Sequence, residues 1–162
     1  MSSAATHDGD AQDKKPLDVD ALKEEFLFKV FDEKKFSFSA QALADYAVAC
    51  GETAPRYTDP AHEDFQAPPT IATSLQPGKR MPKGFPRVAG LGMDAGKAVS
   101  PKAPIRPDVE LTGKSHMQDI YTKTGRSGRM VFFVIRMEVF DESDSAVASA
   151  DTSVVIREKP AD

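Results

Sequence analysis

The chain has 162 residues, 40% of them apolar and 28% charged, which suits one domain of the usual ~100–200 residues with a single core and excludes two large domains. One cysteine and three histidines exclude an internal disulfide framework and leave too few ligands for a structural zinc site, so no metal is expected. The net charge of −4 is uneven: residues 1–20 carry −3, whereas seven basic residues against the single acid Asp94 give the stretch from Lys79 to Arg106 a charge of +6, which offers a place for an anionic ligand.

A near-neutral body without a recognised nucleic-acid module argues against nucleic acid as a partner. No stretch approaches the ~18 consecutive apolar residues of a membrane span, and the opening MSSAATHDGDAQDKK lacks the basic-then-apolar order of a signal peptide. No membrane span and a cytoplasmic location are therefore expected.

Residues 1–17 are polar and poor in apolar side chains and cannot repay the entropy of ordering, so they read as a disordered tail ahead of a single domain over 18–162. A short helix is predicted around Val19 to Phe28, and a brief strand where Phe36 and Phe38 alternate with polar residues. The next helix is better marked. Ser39 is a suitable N-cap, Leu43, Tyr46, Ala47 and Cys50 recur at helical spacing, and Gly51 follows as a stop. At the end of that stripe Cys50 reads as a buried small hydrophobe rather than a catalytic thiol.

From Gly51 to Gly96 proline and glycine dominate, with one helical piece, Thr70 to Leu75, after Pro68 and Pro69. Gly90-Leu91-Gly92-Met93-Asp94-Ala95-Gly96 has neither the spacing nor the strand-then-helix context of a dinucleotide fingerprint and reads as a flexible loop. Strands are predicted over Ala98 to Ile105, Val109 to Tyr121, Met130 to Phe140 and Ala146 to Ile156. On the third of these Val131, Phe133, Ile135, Met137 and Val139 form one apolar face, while Phe132 and Val134 share the other with Arg136 and Glu138. Loops at Lys123–Gly128 and Asp141–Asp144 suit antiparallel hairpins, and Ser127 reads as a turn residue. The fold class is α+β, a helical first half followed by a curled antiparallel sheet that needs something helical laid across it.

No GxSxG string supports a Ser–His–Asp hydrolase. His7 falls in the tail and His116 on the solvent side of a strand. His62, within Asp59-Pro60-Ala61-His62-Glu63-Asp64, is either a general base or a turn residue.

The string Ala49-Cys50-Gly51-Glu52-Thr53-Ala54-Pro55-Arg56-Tyr57-Thr58-Asp59 resembles the AxGDxNPxYxD motif of MaoC-type dehydratases, in the variant found at the N-terminus of double-repeat enzymes and in standalone subunits. Ala67-Pro68-Pro69-Thr70 is similar to the family's APPT approach to its central helix, and Pro104-Ile105-Arg106-Pro107-Asp108 to its PIRPGD. Asp119 to Phe132, DIYTKTGRSGRMVF, resembles its DVYxKxGRSGRxVF hairpin. Together these cover about Phe26 to Glu158, in the family's order.

The resemblance implies a hot-dog fold, a curved antiparallel sheet wrapped around a central helix, and the addition of water to a 2-enoyl-CoA thioester or its reverse. In active members an Asp and a His five residues apart hold and activate the water, while a backbone N–H near the central helix donates to the thioester oxyanion. Here the corresponding positions are Glu52 and Tyr57, and a Tyr with an ordinary value near 10 is a poor base at neutral pH. A shifted register that matches Asp59-Pro60-Ala61-His62 restores His62 as the base at the expense of the fit at Gly51.

The expected role is a subunit of a heteromeric enoyl-CoA hydratase. It shapes the acyl pocket, with room for a bulky group such as a steroid side chain, while a second MaoC-like subunit, or a second copy of the chain as a dimer, completes the assembly. Pro68, Pro69 and Thr70 are the expected substrate contacts, and Lys79, Arg80, Arg126 and Arg129 the candidates for the CoA phosphates. No cofactor is expected beyond the CoA of the substrate. The alternatives are a non-enzymatic acyl-CoA binding or scaffolding module, and a hot-dog thioesterase using Glu52 as base.

Overall fold

The computed structural model describes residues 16–126 and 128–158, so most of the expected tail and Ser127 lie outside the described residues. Helix α1 (Val19–Phe26) opens on Asp18, whose carboxylate accepts from the Ala21 N–H, and buries Leu22 and Phe26, four residues apart on one face. It stops two residues short of the predicted Phe28, because Phe28 takes a left-handed φ of 60° and turns the chain into strand β1 (Val30–Phe36). Helix α2 (Ala40–Ala49) is capped by Ser39 as expected, and Gly51 leaves it at φ 80°.

Cys50 is exposed, a correction to its reading as a buried hydrophobe. It is the C-cap, beyond the last helical turn, and the buried face is carried instead by Leu43, Ala44 and Ala47.

After the one-turn helix α3 (Pro55–Thr58), a short 3-10 turn, η1 (Pro69–Ser74), stands where a central helix was expected. Its Ile71 and Ala72, with Leu75 just after, join Leu43 and Ala44 of α2 against the sheet. The sheet contains β1, β2 (Gly90–Pro101), β3 (Leu111–Gly125), β4 (Gly128–Phe140) and β5 (Ala146–Glu158), ordered β1-β3-β4-β5-β2 and antiparallel throughout. This is the hot-dog arrangement in an α+β fold, with the helical filling reduced to α2 and η1 at one end and α1 at the other. Bulges at Met117/Asp119 and Asp94/Gly96 add the twist that curls the long strands.

The flexible-loop reading of Gly90 to Gly96 is corrected: this segment is the first half of β2, paired with Glu158 to Ser153 of β5. Glycine is required at its start, because Gly90 sits at φ 146° and a Cβ there would stand 2.2 Å from the Arg157 carbonyl oxygen. The segment escapes the strand pattern because β2 is an exposed edge strand and shows no buried alternation. Between β3 and β4 the ladder continues to Gly125↔Gly128, so the hairpin is tighter than the loop expected over Lys123–Gly128.

Two apolar clusters fill the inner face. One gathers Leu111, Met137, Val139 and Ala148 under α2 and η1; the other gathers Met117, Ile120, Val131 and Phe133 under Leu22 and Phe26, with Phe85 packed edge-on to Phe133 at 5.5 Å. Each such side chain, fully buried, contributes about 1.5–3 kcal/mol. The odd-numbered residues of β4 from Val131 to Val139 face this core, as the alternation predicts. The outer face carries the stacked pair Tyr121–Phe132, 4.8 Å apart, and the bidentate Arg136–Asp151 ion pair at 2.7 and 2.8 Å.

Candidate functional site

Between the two clusters the sheet is roofed by an irregular strap that leaves η1 at Leu75, reaches β1 at Gly78 and Lys79, and returns past Phe85 to Gly90. Its far point is tied down by Asp32. This half-strand carboxylate is 8% exposed and accepts from the backbone N–H of Gly78 at 2.7 Å and of Lys79 at 3.1 Å. Lys34 adds a bond from its Nζ to the Gln76 carbonyl at 3.2 Å.

Under the strap lies a cavity of about 620 Å³. Its floor is Ile135, Met137, Ala150 and Val154; Ala72, Leu75 and Met81 line it from the strap side, and Arg80, Asp94 and Lys97 bring charge to its lining. Ser115, fully buried on β3, is part of the same wall. The lining is thus mostly apolar with a few charged groups of both signs, Arg80 and Lys97 against Asp94 and Asp151, the usual make-up of a small-molecule site.

Sequence reasoning missed the chief parts of this site. Asp32 stands in a stretch of mixed charges that carries no periodic signal. Ser115 was detectable, since it is the polar member of the inward series Leu111, Gly113, Ser115, Met117.

The predicted site residues are dispersed. Glu52 and Tyr57 are half-buried on the segment after α2, and neither lines this cavity or a smaller one of about 250 Å³ where Ala67 and Pro69 meet Pro104 and Ile105. His62 has its Nδ1 accepting from the Asp64 N–H at 3.0 Å, a turn contact that leaves the proton on Nε2. Pro68 is fully buried, Pro69 lines the smaller cavity, and Thr70 Oγ1 accepts from the Tyr46 hydroxyl at 3.2 Å.

Of the basic candidates, Arg80 lines the large cavity, and Lys79 contributes its backbone N–H to the Asp32 tether. Arg126 is exposed next to the β3–β4 turn. Arg129 is held by Glu158 at 2.9 and 3.2 Å and donates to the Leu17 carbonyl at 3.0 Å, while the Leu17 N–H donates to Glu158 at 2.9 Å. That clamp joins the start of the described chain to the end of β5. Among the described residues no cluster of three His, Cys, Asp or Glu could hold a metal ion, and no helix is long and apolar enough to cross a membrane.

The APPT and PIRP strings, far apart in sequence, meet here. Ala67 N–H donates to the Ile105 carbonyl at 2.8 Å, and Arg106 donates to the Phe65 carbonyl at 3.0 Å and to Asp64 at 2.8 Å. The Arg106 hydrogen bond holds the Asp64 carboxyl below the ordinary carboxylate range, against the opposing effect of burial. A depressed value means that the pair's contribution is present above about pH 3.9 and is lost as pH falls through the lower folded value. In an NMR titration the Asp64 carboxyl carbon is expected to turn over below that of an ordinary Asp, and Arg106→Ala to return it to the ordinary range. An Asp64 midpoint unmoved by that substitution refutes the latch.

An antiparallel sheet curled over a reduced helical layer, with a chamber between them, is the hot-dog architecture. Residues 28–150 match the family model described as "FAS1-like, dehydratase domain region", and the chain belongs to this family. Among solved structures, the MaoC-like dehydratase from Rhodospirillum rubrum is 20% identical, with 86% of this chain and 97% of that chain covered at a TM-score of 0.59. The ChsH1–ChsH2 complex from Mycobacterium tuberculosis is 14% identical, covering 88% and 90% at 0.61. The HadBC (3R-hydroxyacyl-ACP dehydratase) complex from the same organism is 13% identical, covering 75% and 90% at 0.54. A comparison with curated proteins finds no match.

Proposed function

We propose that this chain is the pocket-forming subunit of a hydratase or dehydratase acting on 2-enoyl-CoA thioesters, in which a second MaoC-like subunit supplies the Asp and His that activate water. The observation that carries the reading is the separation of chamber from dyad positions. The cavity under the strap has apolar walls for an acyl chain and Arg80 and Lys97, beside Asp94 and Asp151, for a polar head, while Glu52 and Tyr57 line neither this cavity nor the smaller one. Two of the similar structures are complexes, ChsH1–ChsH2 and HadBC, which supports a heteromeric assembly. Arg80 and the exposed Arg126 are the candidates for the CoA phosphates; Arg129, engaged by Glu158, acts as a clamp.

The contact with the partner falls on β2. This edge strand is 12 residues long and exposed along almost its whole length, with Leu91 and Met93 at 55% and 41% exposure. An edge of that length presents unpaired N–H and C=O groups that another sheet can continue.

The test is co-expression with a MaoC-like chain whose Asp and His five residues apart are intact. A complex that co-purifies and hydrates enoyl-CoA is the expected result, and Leu91→Lys on the exposed β2 edge, outside the cavity lining, is expected to weaken it by placing a charge in the contact. A chain that sediments as a stable monomer at micromolar concentration, indifferent to such a partner, overturns the reading.

A further inference from the structure

Ser115 is one of the residues lining the cavity under the strap, and its fully buried hydroxyl has no hydrogen-bond partner among the described residues. Buried hydroxyls are ordinarily paired, because an unpaired one gives up its bonds to water without replacement. Its register neighbours explain why the protein leaves it free. Across β4 stands Met137, whose thioether is only a weak acceptor, and across β1 stands Asp32, whose two carboxylate oxygens are turned to the Gly78 and Lys79 N–H groups and accept nothing from Ser115.

We propose that Ser115 is a specificity-determining residue: it hydrogen-bonds a neutral oxygen, hydroxyl or carbonyl, carried part-way along the acyl chain of the ligand. The inference rests on the reading of this cavity as the acyl chamber. A hydroxyl donates and accepts, so it serves an alcohol or a ketone alike. A neutral oxygen is favoured over an anionic one, since the buried Asp32 carboxylate stands across β1 from Ser115 and the neighbouring walls Ile135, Met137 and Ala150 are apolar. The position is also specific. Ser115 lies on β3 and Lys97 on β2, with β4 and β5 between them in the sheet order, and the Lys97 ammonium donates to the Thr73 carbonyl at 2.8 Å. A head group held on the β2 side, near Lys97, leaves the β3 side of the chamber and Ser115 to the interior of the chain, whereas one held at Arg80, next to the Asp32 tether, brings the head itself towards Ser115.

The experiment compares binding of plain decanoyl-CoA with a series of monohydroxylated decanoyl-CoA esters, to the full chain and to Ser115→Ala. The wild-type chain is expected to bind one position of the hydroxyl series about tenfold more tightly than the plain ester. Ser115→Ala is expected to erase that preference while binding the plain ester at least as well. Equal affinity of the wild-type chain across the whole set, or a preference that survives Ser115→Ala, overturns the role of Ser115 and leaves the acyl chamber standing. Failure to bind any ester overturns both. Thermal unfolding gives a readout independent of ligand: a hydroxyl without a protein partner predicts that Ser115→Ala unfolds no earlier than the wild type, and a Tm lowered by several degrees assigns Ser115 a structural bond instead and removes the proposal.

Discussion

Purified alone, the chain is expected to hydrate 2-enoyl-CoA about a hundred- to ten-thousand-fold more slowly than the assembly with its dyad-bearing partner, the usual contribution of positioned general acid–base groups. Hydration needs one group to hold the water and another to take its proton next to the double bond. At the positions that the motif resemblance gives to the dyad stand Glu52 and Tyr57, half-buried and lining neither of the two cavities described. His62 offers no substitute in this geometry, since its Nδ1 is occupied by the Asp64 N–H. Glu52→Ala, Tyr57→Ala and His62→Ala should therefore leave the activity of the assembly within a few-fold, while changes that close the chamber should not. Robust hydration by the lone chain, abolished by Glu52→Ala or His62→Ala, would return the catalytic role to this subunit, with loss on His62→Ala favouring the shifted register; release of free CoA abolished by Glu52→Ala would instead favour the thioesterase.

How much of this was legible depends on what kind of signal each part leaves. Helix α2 is readable because cap, stripe and stop agree, with Ser39, Leu43, Ala47 and Gly51 each in place. Strand β4 is readable because it is central in the sheet and alternates along its whole length. Strand β2 is not, since an edge exposed on both faces has no period, and its glycines imitate a loop. The central helix fails for a different reason. The APPT string correctly marks a turn at Pro69–Ser74, but the turn ends there as a 3-10 segment, because Gln76-Pro77-Gly78 cannot continue a helix. That early stop is what leaves room for the cavity. Motif resemblance pointed to residues around Tyr57 and Pro69, whereas the chamber is built by the strap and by Asp32 and Ser115, which belong to no motif and are brought together only by strand register.

Asp32→Ala is expected to destabilise the fold by about 2–4 kcal/mol and to release the strap. Each bond to a charged acceptor contributes about 1.5–3 kcal/mol, but the freed N–H groups of Gly78 and Lys79 lie on exposed residues and regain water, so the loss falls short of two full bonds. The carboxylate has little freedom to be replaced by a neighbour: a Cβ on Gly78 would already sit 3.2 Å from its oxygen. Asp32→Asn keeps one acceptor and the shape and should cost about half as much. Removing the exposed Lys34 tether to the Gln76 carbonyl should cost less than about 1 kcal/mol, as bonds of solvent-facing lysines do. Two measurements separate anchoring from a general loss of packing. Denaturant midpoints give the stability order, wild type above Asp32→Asn above Asp32→Ala; trypsin, under conditions where the fold is intact, should cut the Asp32→Ala strap at Lys79 and Arg80 well before any site in the sheet. Since the strap roofs the cavity proposed as the acyl chamber, the same variant should lose acyl-CoA affinity while its far-ultraviolet dichroism is kept. An Asp32→Ala chain with an unchanged midpoint and an uncut strap would show that the roof is held by Met81, Phe85 and Val88 packing on the core, and the buried carboxylate would need another purpose.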